Sequence, residues 1–225
     1  MIDSKYSLND SNLKWAGIII AVSTLTSLFM MMHHPTVTAS GMAAQVAEVQ
    51  HESFVNNIVH GSLILFVLLT LASFSIFSRH RGQKYLTVTI AHLFYFIGSM
   101  AMVAAALING FVYPDFLHGY SAASSQELAQ LPVFKSLLWS ANQTLGKLGV
   151  ITMSVAILFW SINLWRDEGI VKLVAVIGMV IGLGCSTAII VGVLTLNVAG
   201  MTQVVMLQGI WNLAIAYLMI RSKSL

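Results

Sequence analysis

The chain has 225 residues, 57% of them hydrophobic and only 8% charged, with a formal net charge of +3. A soluble domain carries about 25% charged residues, so this composition excludes the ordinary soluble classes and points to a membrane protein. The basic residues are scattered between apolar runs and form no basic face, which argues against nucleic acid as a partner, and the single cysteine, Cys185, excludes a disulfide within one chain.

Six apolar runs approach or exceed the length of about 20 residues that a spanning helix needs. The first, over 15–32, follows Lys5 and Lys14 and runs into MMHHPTV, Met31 to Val37, where Pro35 ends the helix. Val37-Thr38-Ala39 resembles a signal-peptide cleavage site, but the run exceeds the usual apolar region of about 7–15 residues, so a retained span is expected. The second run, 55–77, is entered through EVQHESFVNNIVHGS, Glu48 to Ser62, which overlaps its first turns. No Pro or Gly interrupts Gln45 to Asn57, so this helix is expected to begin well outside the bilayer. The third run covers 85–113. A long connection with Asp115, His118 and Glu127 leads to the fourth over 138–165, and the fifth and sixth cover 171–196 and 202–220. Lengths of this order suit helices, not the alternating strands of about 10 residues that build a membrane barrel. The expected fold is therefore all-α: one transmembrane domain over 1–225, a six-helix bundle.

Lysine and arginine set its orientation. Lys5, Lys14, Arg79, Arg81, Lys84, Arg166, Lys172, Arg221 and Lys223 fall on one side, against Lys135 and Lys147 on the other. The positive-inside rule predicts that both termini are cytoplasmic, in a bacterial-type inner membrane.

Helical rise, about 1.5 Å per residue, ranks residues by depth. His33 is about 28 Å above Lys14, His60 about 28 Å above Arg79, Lys147 about 28 Å above Arg166, and Gln203 about 27 Å above Arg221. All four sit near the outer limit of a hydrocarbon core about 30 Å thick, with Asn109 and Asn197 slightly higher. This layer predicts a polar cavity open to the outside, lined by the first, second, fourth and sixth spans. Its expected ligand-binding residues are His60 and Lys147, facing each other, with Asn56, Gln203 and Asn109. His92 and Asn212 match in height at a deeper level, where a polar group inside hydrocarbon is a functional candidate.

Glu48, Glu52, Asn56 and His60 are spaced by four and form one stripe, but Glu48 and His60 lie about 18 Å apart along the axis. Metal–nitrogen bonds are about 2.0–2.1 Å, so no single ion spans the stripe. An outer metal site would draw on Glu48, His51 and Glu52, completed by His33, His34 and His118. Imidazole suits zinc and copper, and the neighbouring thioethers suit copper. There is no HExxH, cysteine-based zinc pattern, phosphate loop, dinucleotide fingerprint or nucleophile elbow. The expected function is a small transporter, or a membrane-embedded binding protein, for a metal ion or small polar solute. Imidazole titrates near about pH 6.5, so proton coupling fits the same residues. The rivals are a metal-dependent membrane enzyme, which needs three converging ligands and an open position, and a structural subunit of a larger complex.

Overall fold

A computed structural model describes residues 10–221, so Lys5 and Lys223 lie outside the described residues. In chain order the helices are α1 (Asp10–Met32), α2 (Met42–Arg81), α3 (Leu86–Leu107), α4 (Tyr113–His118), α5 (Ser125–Leu128), α6 (Leu131–Leu164), α7 (Gly169–Ile190) and α8 (Val198–Arg221). A π-helical turn, Ile108–Val112, joins α3 to α4 without a break. Among the described residues, six helical segments are long and apolar enough to cross a membrane.

Helix α2 has 40 residues, about 60 Å of helix against a hydrocarbon core of about 30 Å. It begins at Met42, so it overhangs on the histidine side as expected, and its first turns pack through Val46 and Val49 on Leu117 and Leu131. Helix α7 ends at Ile190, earlier than the apolar run suggests. Gly192, at φ 76°, turns the chain. Asn197 then caps the next helix, its side-chain oxygen accepting from Gly200 N–H at 2.8 Å. Leu196 is buried against Val150, Ile189 and Val204. The rest of the turn is not drawn inward with it: Val191 and Val193 are exposed.

The half of the bundle nearest the arginines is solid. Phe74 stacks on Trp160 at 4.8 Å and on Trp211 at 5.7 Å between ring centroids, and Tyr95 closes the cluster. Trp160 donates its indole N–H to Ser78 Oγ at 3.1 Å, which satisfies the one polar atom this ring buries. Arg81 locks the same end, bonding Asp167 Oδ2 at 2.7 Å and Asn163 Oδ1 at 3.0 Å. Arg166 and Lys84 lie over Tyr85, and Lys172 lies over Trp165. The outer surface of the bundle is apolar: Leu86, Val180, Leu183 and Ile190 are 60–72% exposed, where a water-facing surface would be polar.

Candidate functional site

The opposite half is hollow. A chamber of about 170 Å³ lies between α1, α2, α3, α6 and α8, with His60, Asn109, Asn142 and Gln143 in an otherwise largely apolar wall. A wider vestibule of about 710 Å³ lies beyond it, and His34, Asn109, Trp139 and Asn142 line both. These residues form the neck between the two spaces. Apolar walls with a few convergent polar groups are the usual make-up of a small-molecule site.

The neck is built by local chain geometry. Pro35 cannot continue α1, so His34 leaves the helix axis and turns across the top of the chamber. His60, one turn after Asn56 on α2, is 4% exposed. It lies against the π turn, whose wide coil brings Asn109 and Gly110 onto the imidazole; such turns recur at functional sites. A Cβ on Gly110 would come within 2.3 Å of His60 Cβ, so only glycine fits here. Asn56 holds the turn by donating to the carbonyls of Asn109 at 3.2 Å and Gly110 at 3.1 Å. Asn57, with its amide oriented to satisfy both its atoms, adds a bond to Gly110 O at 2.6 Å.

At the centre, His34 Nε2 lies 3.3 Å from His60 Nε2, and Asn109 Nδ2 lies 3.1 Å from His60 Nε2. His60 Nδ1 donates to Asn56 O at 2.9 Å, and His34 Nδ1 to Pro35 O at 2.8 Å. Burial holds the His34 imidazole below its ordinary pKa, against the opposing pull of the Pro35 carbonyl. Beyond His34 a smaller space of about 80 Å³ is bordered by Glu48, Glu52 and Asn56.

The structure thus brings His34, Asn56, His60 and Asn109 together. It does not bring in Lys147. That side chain is exposed beside Leu148, on the same outward face of α6 as Ser140 and Thr144, while Asn142, Gln143 and Gly146 line the chamber. Gln203 is exposed on α8. Among the described residues His92 Nδ1 and Asn212 Oδ1 are buried without hydrogen-bond partners, and neither residue lines the chamber or the vestibule. The third span, which was not counted among the four lining the cavity although Asn109 was named as a ligand-binding residue, supplies Asn109 and Met102 to the chamber wall.

The outer acidic and histidine residues also separate. The Glu48 carboxylate accepts from the N–H groups of Thr38 and Ala39 and from the Thr38 hydroxyl, at 2.8–3.1 Å. His51 and Glu52 form an exposed pair at 3.2 Å. His33 bonds back to Phe29 O at 2.9 Å and lies against the Phe29 ring. His118 is exposed beside Asp115 in a separate groove. Among the described residues no three His, Cys, Asp or Glu side chains gather as a metal centre, so Glu48, His51, Glu52, His33, His34 and His118 do not form the outer site expected of them.

Sequence reasoning missed Lys135, which donates to Gln45 Oε1 at 2.6 Å in the vestibule wall. It also gave no part to Trp139. Asn142 and Gln143 were visible as polar residues in an apolar run. They donate to Ala105 O at 2.8 Å and Leu196 O at 3.1 Å, tying α6 to its neighbours where the chamber opens.

Fold and site together define a six-helix bundle of membrane-spanning length that is closed at one end and hollow at the other. The chain matches no protein-family model, no curated protein and no solved structure.

Proposed function

We propose that the chain is a multi-pass protein of a bacterial-type inner membrane, with both termini cytoplasmic. It takes a small polar solute or cation from outside into the chamber, as a membrane-embedded binding protein or as the outward-open form of a small transporter. The observation that carries this reading is the neck: a wide vestibule and an inner chamber share His34 and Asn109. The solid aromatic half supports it by closing the far end. The basic clusters at that end support the orientation, since such clusters stay cytoplasmic. A purely structural role, with each histidine apart in the headgroups, does not account for a His60 that is 4% exposed and in contact with His34.

Cysteine accessibility in intact cells tests the reading. With buried Cys185 replaced by alanine, Ser136→Cys in the vestibule and Ala106→Cys in the chamber should react with a small membrane-impermeant thiosulfonate added outside. Lys84→Cys, at the basic end, should react only after permeabilisation. An inert Ala106→Cys beside a reactive Ser136→Cys would remove the chamber from the reading, and outside labelling of Lys84→Cys would reverse the topology.

A further inference from the structure

Two imidazoles that face each other through bare nitrogens repel. A ring nitrogen that meets a carbonyl oxygen must carry the hydrogen, so His34 and His60 both hold theirs on Nδ1, bonded to Pro35 O and Asn56 O. Both Nε2 atoms then present lone pairs, 3.3 Å apart, with the ring planes at 74°. The Asn109 N–H answers one of these lone pairs. Among the described residues, the polar contact made by the other is the opposing nitrogen itself. The arrangement calls for a positive centre between the rings.

We propose that His34 Nε2 and His60 Nε2 are the imidazole ligands of a site for a zinc-class divalent cation, with the Asn109 side-chain oxygen able to turn in as a third donor. Zinc–nitrogen bonds of about 2.0–2.1 Å place two ligands of a tetrahedral ion about 3.3–3.4 Å apart, which is the separation found here. Metal-bound histidines almost always donate their other ring N–H to a carbonyl or carboxylate, which fixes ring and tautomer, and both rings already do so. Glu48 and Glu52 border the small space behind His34 and supply the negative field that a divalent ion needs on leaving water.

The donor set also says what kind of site this is. A resident structural zinc has four protein ligands, and here no third His, Cys, Asp or Glu joins the pair among the described residues. Two imidazoles and an amide leave one position of a tetrahedral ion open, which suits an ion that is captured and released. The cation would then be the cargo of the proposed uptake route, and that part of the inference rests on the reading above. Lys135 in the vestibule wall weakens the attraction for a cation, so Lys135→Gln should tighten the site.

The test is zinc binding to the purified full chain in detergent, by equilibrium dialysis with elemental analysis, with cobalt absorption as a readout of coordination. Wild type should bind one ion per chain, and cobalt should give a nitrogen-ligated visible spectrum. His34→Ala should weaken binding by more than about a hundredfold, beyond the loss of about 10–100-fold typical of outer-shell partners; His34 lies outside the helices, so this variant leaves the bundle intact. His60→Ala should do the same, and His33→Ala and His51→Ala should not. Absence of zinc binding in the wild type overturns the inference, as does equal affinity in His34→Ala; a shared proton would then explain the facing nitrogens. Zinc failure with Ala106→Cys still labelled removes the cation and leaves the solute reading. Zinc bound at His34 with Ala106→Cys inert keeps the ligands and overturns the role as cargo.

Discussion

At the scale of single residues, Gly110 does more than its neighbours because backbone and imidazole meet there without a side chain between them. A Cβ at Gly110 would lie 2.3 Å from His60 Cβ and 2.6 Å from its Cγ. Both are stem atoms of a side chain fixed by its bond to Asn56 O, so the π turn must move instead. Overpacking of this kind costs about 1–3 kcal/mol. Gly110→Ala should therefore lower stability by about that amount in reversible unfolding from mixed micelles. Gly61→Ala, one residue past His60, would place its methyl an ordinary 3.7 Å from Phe111. It should be neutral or slightly stabilising, since alanine is favoured over glycine inside a helix. Equal stability for the two variants would mean that the π turn does not rest on His60. None of this packing was legible in the sequence. Helical rise ranks residues by height, and His60 and Asn109 were placed at neighbouring levels by that count. A π turn, which rotates Asn109 toward α2, leaves no mark in composition or spacing.

At the scale of elements, α2 and the segment that precedes it behave as one unit. The carboxylate of Glu48 gathers N–H donors from Thr38 and Ala39 and the Thr38 hydroxyl, so residues 33–41 are strapped to the helix they lead into, and His34 is carried on that strap. Glutamine at position 48 would keep one acceptor, lose the charge that strengthens these bonds, and turn an NH₂ toward backbone donors. Glu48→Gln should thus raise hydrogen exchange at the Thr38 and Ala39 amides by about tenfold or more, as a locally opened segment does. Glu52→Gln, whose partner is exposed His51, should leave those amides unchanged; equal effects from both would argue against the strap. The same elements show why the spans were readable and their faces were not. Length and apolarity identify a spanning helix without any knowledge of its neighbours. Which way a side chain points depends on those neighbours: Lys147 was expected to face His60 but is exposed, one residue from the inward Gly146. The stripe from Glu48 to His60 was a real face of α2, but its upper part serves the strap and its lower part the chamber.

At the scale of the whole molecule, stability and function occupy opposite halves. The arginine end holds the stacked rings of Phe74, Trp160 and Trp211 and the Arg81–Asp167 pair. The histidine end holds the voids. Trp160 is fully buried and touches four other aromatic rings. Trp139 is 54% exposed and borders the neck. Truncating a buried tryptophan costs about 3–5 kcal/mol, through lost burial and the cavity left behind. Where the ring already borders open space, little new cavity is made. Trp160→Ala should lower unfolding stability by about 3–5 kcal/mol, and Trp139→Ala by less than about 1 kcal/mol. The two should separate in the other direction at the site: Trp139→Ala widens the neck and should speed outside labelling of Ala106→Cys, while the milder Trp160→Phe should leave that rate alone. Similar losses of stability from both alanine variants would mean that the hollow half is packed after all. A large stability gap without a change in labelling rate would keep the solid half and deny the neck its part in controlling access.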